Sequence, residues 1–201
     1  MLKARCLERM ASVNLSTGND HLALKLYYDA LPLFEKSCNK EGIAKVYNII
    51  GLYKNAQKEY DSSEVYYKRA IQLNEEINNQ TGIIHNKGNL GYLYEKIGNY
   101  ESAAKLYSEL VEILIKAGDS LNLPVVYYNF SSLYERQNLF DSSLKYLRLS
   151  INISEKKKDT SLLSALYGNY GNIMMQINHI DSAYIFIEKI KNMCPCYWRH
   201  E

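Results

Sequence analysis

Three asparagines stand at a constant interval of 40 residues, at Asn89, Asn129 and Asn169. Each directly precedes a large apolar residue and then a small one, in the pairs Leu90-Gly91, Phe130-Ser131 and Tyr170-Gly171. A carboxamide offers two hydrogen-bond donors and one carbonyl acceptor, so it can pair with the C=O and the N–H of a peptide group together. This spacing therefore favours recognition by hydrogen bonds, and it requires elements that bring the three amides to one face.

The residue types needed for catalysis are not grouped in the sequence. The four histidines are separated from one another, and neither HExxH nor GxSxG occurs. The glycines of segment 88–98 follow no strand pattern, so they do not form a phosphate loop. Cys194, Cys196 and His200 could offer soft ligands, but a fourth is missing and the spacing matches no common zinc pattern. We therefore expect no enzyme activity, no cofactor and no metal.

The elements that carry the asparagines repeat every 40 residues. Laid against itself at that shift, the chain matches small residues with small ones and large residues with large ones. The small positions are Ala11, Gly51, Gly91, Ser131 and Gly171, then Ala23, Ser63, Ala103, Ser143 and Ala183; one set of large positions is Tyr27, Tyr67, Tyr107, Leu147 and Ile187. Five copies are predicted, at about 1–40, 41–80, 81–120, 121–160 and 161–193.

Each copy is predicted to form two helices. In the third copy, apolar residues at helical spacing indicate helices over about 83–97 and 100–117, with Gly98 in the left-handed conformation between them. Polar breaks are predicted between copies at 39–42, 78–82, 117–122 and 157–161. Small residues such as Gly91 would let the two helices approach closely, and large ones such as Tyr107 would fill the gaps beside them. Neither helix can bury its apolar face alone, so the pairs must stack.

Composition excludes several classes of partner. The 201 residues are 47% hydrophobic and 23% charged, with a net charge of +2. This balance gives no electrostatic footprint for nucleic acid. No apolar run approaches the ~18 residues that span a bilayer, and the N-terminal segment is too charged for a secretory signal. We expect a cytoplasmic chain with no nucleic-acid or membrane partner, although an excised segment would look the same.

The pattern resembles the tetratricopeptide repeat. Its small–large–small signature stands in the third copy at Leu90-Gly91, Tyr94, Ala103, Tyr107 and Leu110. The period of 40 rather than 34 is similar to the long-helix branch found in kinesin light chains, peptide-sensing bacterial regulators and bacterial signalling proteins. The resemblance implies an all-α, right-handed α-solenoid of five antiparallel helix pairs, forming one domain over 1–193 with an irregular tail at 194–201.

The resemblance also implies binding rather than chemistry. In the long-helix families, the position of the three asparagines resembles that of the asparagine that grips the main chain of a bound peptide. We expect the concave face to bind a protein or an extended peptide through the following residues: Asn89, Asn129, Asn169, Tyr92, Tyr128, Glu95, Ser132, Arg136, Asn172, Gln176, Lys45 and Asn48. The alternative is that the asparagines are ordinary polar residues on a solvated face.

Two further possibilities concern the whole chain. The last copy is apolar nearly all round, whereas solenoids usually end in a unit with a polar outer face. The chain could therefore be the sensory or regulatory region of a larger bacterial signalling protein. It could also be a structural homo-oligomer, with a homodimer formed through the last repeat.

Overall fold

The computed structural model describes residues 1–193, and within them the chain is helical throughout, with no strand. The helices are α1 (Leu2–Ser16), α2 (Asp20–Lys36), α3 (Lys40–Ala56), α4 (Tyr60–Glu76), α5 (Gln80–Lys96), α6 (Tyr100–Ala117), α7 (Leu123–Glu135), α8 (Phe140–Lys157), α9 (Thr160–Gln176) and α10 (Ile180–Met193). They alternate between the first and second helix of each pair. We call α1, α3, α5, α7 and α9 the first helices. The predicted helix at 100–117 is confirmed to the residue.

A residue in the left-handed conformation follows each of α1 to α9, at 20-residue intervals from position 18 to position 178. Gly98 has a φ of +81°, which confirms the predicted conformation. Its N–H donates to the Glu95 carbonyl at 3.2 Å, and the N–H of Asn99 donates to the Tyr94 carbonyl at 2.8 Å. These two bonds satisfy carbonyls that the helix end would otherwise leave unpaired. The turn can therefore be short, and the next helix starts at once.

Three of the four predicted breaks between copies are too long. The side chains of Asn39, Asn79 and Asp159 accept hydrogen bonds from backbone N–H groups three residues later, at 3.1, 3.2 and 3.1 Å. This capping starts α3, α5 and α9 two or three residues earlier than predicted. The break at 117–122 is confirmed, and α7 follows it with Pro124 in its first turn.

The two helices of a pair touch at the small positions. The hydroxyl of Ser63 on α4 donates to the backbone carbonyl of Gly51 on α3 at 2.8 Å. Ser143 on α8 makes the same bond to Ser131 on α7, also at 2.8 Å. A Cβ atom built on Gly51 would lie 2.8 Å from the buried ring of Tyr67. The recurrence of small residues beside large ones at these positions therefore has a steric cause.

The chain divides into two compact units, Met1–Leu106 and the part from Tyr107 onward, and the boundary falls within α6. The first unit contains two buried clusters, and the second contains one between α8, α9 and α10. Their largest buried side chains are Tyr27, Phe34, Ile50, Tyr67 and Leu93 in the first unit, and Leu147, Leu166, Tyr170 and Ile173 in the second.

Among the helices of residues 1–193, none is both long and apolar enough to cross a membrane. In the same residues, no group of three or more His, Cys, Asp or Glu side chains could hold a metal ion. Cys6 and Cys38 are exposed free thiols. The predicted tail at 194–201 lies outside the described residues.

Candidate functional site

In the first unit, polar side chains join consecutive first helices. The Nδ2 atom of Asn89 on α5 donates to Oδ1 of Asn48 on α3 at 2.8 Å. About two turns further along the same helix, Nζ of Lys96 donates to Oδ1 of Asn55 at 3.1 Å. Both bonds join residues 41 positions apart. Two predicted binding residues, Asn48 and Asn89, are therefore brought into direct contact.

The second unit has the same arrangement on its own first helices. Nδ2 of Asn169 on α9 donates to the hydroxyl of Tyr128 on α7 at 3.0 Å. Nε2 of Gln176 donates to the carboxylate of Glu135 at 3.1 Å. These bonds also join residues 41 positions apart, so the pattern recurs independently in each unit. It brings together three predicted residues, Tyr128, Asn169 and Gln176.

The bonded amides keep part of their hydrogen-bonding capacity. After donating once, Asn89 and Asn169 each retain a second N–H and the carbonyl oxygen. Both side chains are half-buried, so they are reachable from solvent. Asn129 is also half-buried, and within the described chain its amide makes no hydrogen bond. Asn89 belongs to the first unit and the other two to the second, so their alignment in one row stays a prediction.

The remaining predicted residues differ in exposure. Tyr92 is 45% exposed on α5, and Asn172 and Arg136 are exposed on α9 and at the end of α7. Ser132 is half-buried on α7. Lys45 is exposed on α3 and forms an ion pair with Glu8 of α1.

The prediction that Glu95 lines an open binding face is corrected by the structure, since its side chain is only 1% exposed. The residue at the same register in the preceding copy is Asn55, which is 6% exposed and is covered by Lys96 of the next first helix. Asn55 and Glu95 are therefore both buried rather than open to solvent. Glu95 is an interior polar residue.

A groove of about 480 Å³ lies between α3 and α5 in the first unit. Its lining comes from α3, from the end of α4 and from the start of α5: Glu41, Ala44, Lys45, Asn48, Ile49, Asn74, Asn79, Thr81, Gly82, His85 and Asn86. Asn79 donates to Oδ1 of Asn74 at 2.8 Å, and Asn74 donates to the Ala70 carbonyl at 2.9 Å. Four of the eight polar lining residues are asparagines.

Sequence reasoning missed Asn86 in this groove. It is 3% exposed, and within residues 1–193 its amide makes no hydrogen bond. A signal was available, because three of the four other copies have the buried aliphatics Val46, Val126 and Leu166 at this register, and the first copy has the exposed Cys6. An asparagine at that register departs from the repeat.

A second groove, of about 360 Å³, lies between α1 and α3. Arg5 and Arg9 contribute cations to its lining, and Glu8 and Glu41 contribute carboxylates. Lys45 lines both grooves and carries the ion pair with Glu8. Glu41 also lines both grooves, so the groove between α1 and α3 differs by the additional charges of Arg5, Glu8 and Arg9.

Solved structures share this arrangement of helices. BtubC (BKLC) from P. vanneervenii matches with a TM-score of 0.79 at 16% identity, over 97% of this chain and 81% of that one. A putative kinesin light chain from Podosopora anserina, with nearly identical TPR-like repeats, matches with a TM-score of 0.73 at 13% identity, over 97% and 96%. A Rap protein complexed with Competence and Sporulation Factor matches with a TM-score of 0.66 at 21% identity, over 94% of this chain and 52% of that protein.

These similarities confirm the predicted fold class, an all-α solenoid of tetratricopeptide-like helix pairs. No curated protein matches the sequence. The family model described as Tetratricopeptide repeat matches residues 3–76 and 80–156, which is well over half of the chain. The chain therefore belongs to the tetratricopeptide repeat family.

Proposed function

We propose that this protein is a non-enzymatic scaffold that binds a peptide or a protein segment on the face formed by its first helices. The proposal rests chiefly on one observation, the rows of half-buried amides that join consecutive first helices within each unit. These bonds hold the amides of Asn89 and Asn169 in a fixed orientation while leaving further donors and acceptors free. Fixed polar groups bind at a lower entropic cost than mobile ones.

The geometry of a bound chain suits this spacing. Neighbouring helices pack roughly 8–10 Å apart, and an extended chain advances roughly 3.3–3.6 Å per residue. Consecutive first helices could therefore meet about every third residue of an extended guest. Main-chain hydrogen bonds would supply affinity, and exposed neighbours such as Tyr92 and Asn172 would supply selectivity.

One of the similar structures supports the same function. The Rap protein with this fold was solved in complex with Competence and Sporulation Factor. At 21% identity the likeness shows the fold alone, so the guest of the present chain must be found by experiment.

The experiment compares the wild type with a variant in which Asn89, Asn129 and Asn169 are all changed to Ala, using selection from a displayed library of random peptides. Each lost hydrogen bond is worth roughly 0.5–1.5 kcal/mol, so three should weaken binding by about tenfold to a thousandfold. The melting temperature should fall by several degrees, because Asn89→Ala and Asn169→Ala each break one bond between first helices, so binding is compared well below both melting temperatures.

Asn152→Ala is the matched control, because Asn152 is exposed on α8, a second helix. It should leave peptide binding at the wild-type level. If the triple variant also binds at that level, the asparagines are ordinary polar surface residues, and the contacts lie elsewhere.

A second candidate is the sensory or regulatory region of a larger signalling protein. The observation that favours it is length, since this chain spans about half of the Rap protein that it matches. The sequence of the surrounding reading frame tests this candidate. An output domain in the same frame would support it, and stop codons close to both ends of the chain would refute it.

A homodimer formed through the last repeat is favoured by exposed apolar residues on α9 and α10. Met175, Ile180, Tyr184 and Ile185 are 50%, 57%, 65% and 58% exposed. Light scattering across a range of concentrations measures the mass directly. Tyr184→Ser combined with Ile185→Ser should give a monomer if this face forms the dimer, and a monomeric wild type at high concentration would refute it.

A further inference from the structure

Asn86 occupies a register that three of the four other copies of the repeat give to aliphatic side chains. Val46, Val126 and Leu166 stand there and are 0%, 4% and 0% exposed. Asn86 is itself only 3% exposed, so an amide is buried where the copies bury hydrocarbon. A buried polar group without a partner destabilises the folded state. In the described residues, however, the amide atoms of Asn86 are not among the fully buried polar atoms that lack a partner, so they are accessible from the groove.

The amide of Asn86 lines the groove between α3 and α5. Within the described residues, no protein group forms a hydrogen bond with it. The nearby Asn74 is equally buried, at 3% exposed, but donates to the Ala70 carbonyl and accepts from Asn79. The two asparagines thus differ in hydrogen bonding and not in burial.

The charges around the groove do not favour an ionic guest. Lys45 is paired with Glu8, so its charge is largely neutralised. The other ionisable lining residues, Glu41 and His85, are exposed at the edge of the groove. The volume of about 480 Å³ lies within the range of about 300–1,000 Å³ that is usual for ligand sites.

We infer that Asn86 is kept unpaired in the groove between α3 and α5 so that it binds a carboxamide group of an uncharged peptide guest. An amide side chain and a carboxamide are mutually complementary, because each offers N–H donors and a carbonyl acceptor. Asn48 lines the same groove and still has free N–H donors after accepting from Asn89. The inference rests on the proposed function and identifies where in the first unit the guest is anchored.

The test uses Asn86→Val, which restores the residue type that Val46 and Val126 hold at this register. Its melting temperature should stay level or rise, because the change breaks no hydrogen bond and places an apolar side chain at a register where Val46 and Val126 are buried. Its affinity for peptides that the wild type selects from a displayed random library should fall by about tenfold or more. Asn74→Val is the control for stability and should lower the melting temperature, because it breaks two hydrogen bonds.

Two results would overturn the inference. A fall in melting temperature for Asn86→Val, like that of Asn74→Val, would assign the amide a structural role. Unchanged affinity in Asn86→Val would show that no guest uses it. If the wild type selects no peptide at all, the proposed function fails and the inference fails with it. If the triple alanine variant of Asn89, Asn129 and Asn169 still binds while Asn86→Val does not, only the asparagine row is refuted.

The carboxamide could belong to the main chain of the guest or to an Asn or Gln side chain. Selected peptides with single N-methylated main-chain amides separate the first source from the second. Replacing each Asn or Gln of the same peptides by Ala provides the converse test. A peptide could bind the wild type more tightly than Asn86→Val and yet keep its affinity in both series. That result would refute recognition through a carboxamide.

Discussion

The close approach of paired helices predicts opposite outcomes for the same substitution at two glycines. In Gly51→Ala, the new Cβ would lie 2.8 Å from two carbon atoms of the Tyr67 ring. Tyr67 is fully buried, so the ring cannot move into solvent. In Gly88→Ala, no atom lies within 4 Å of the new Cβ. Both glycines lie inside 17-residue helices, α3 and α5.

The magnitudes follow from two terms. Alanine is favoured over glycine in a helix interior by about 0.8–1 kcal/mol, and both variants gain this amount. Overpacking a core costs about 1–3 kcal/mol, and only Gly51→Ala incurs it. The free energy of unfolding should therefore fall by up to about 2 kcal/mol in Gly51→Ala and rise by up to about 1 kcal/mol in Gly88→Ala. For a chain of this length, each kcal/mol shifts the melting temperature by about 2–4 °C.

Thermal and urea denaturation, both followed by circular dichroism, measure the two shifts. An unchanged dependence on urea concentration would show that both variants keep the same folded state. If Gly51→Ala proves as stabilising as Gly88→Ala, the small position does not serve helix approach, and the steric account of the repeat is refuted.

Two further predictions concern buried and ionised groups. The Tyr67 hydroxyl is buried with no hydrogen bond to described residues, and its burial raises the pKa of Tyr67 to about 12. Because Tyr67→Phe removes a hydroxyl that has no partner, it should leave the melting temperature unchanged or raise it. Tyr27→Phe removes a 2.9 Å hydrogen bond to Ser12, so it should lower the free energy of unfolding by about 0.5–1.5 kcal/mol. An equal loss of stability in both variants would show that the two hydroxyls do not differ in hydrogen bonding. Hydrogen bonds from the side chain and backbone of Asn122 lower the pKa of Asp119 below 3.8, so the carboxylate stabilises the fold at neutral pH and loses this effect as the pH falls through the lowered value. Asp119→Asn should therefore melt below the wild type at pH 7, with a gap that closes in acid; a gap independent of pH would refute this.

Size periodicity was enough to predict the elements, because steric fit between helices is repeated in every copy. It located the helix at 100–117 and the break at 117–122 correctly. It misplaced the starts of α3, α5 and α9, since capping depends on one side chain and one backbone N–H and not on apolar spacing.

The candidate site was less accessible to sequence reasoning. Bonds such as Asn48–Asn89 and Tyr128–Asn169 join residues 41 apart, one more than the repeat, so they depend on how neighbouring helices are offset along their axes. No comparison at a shift of 40 aligns those partners. Glu95 was misassigned because its polarity suggested exposure to solvent, whereas its side chain is 1% exposed.

Each position of the repeat occurs once in every copy, so the exposed fractions of equivalent residues can be compared between copies. At the register of Asn55 and Glu95, the covered residues are polar and are 6% and 1% exposed. The last copy has Met175 there, and it is 50% exposed. At this register the buried residues are thus polar and the exposed Met175 is apolar, which is the opposite of the usual pattern in folded proteins. Tyr184 follows the same logic, because it is 65% exposed where the preceding copy has Leu144 at 5%. This exposed apolar surface at the end of α9 and on α10 is the reason for the proposed dimer contact, which the light-scattering experiment with Tyr184→Ser and Ile185→Ser tests.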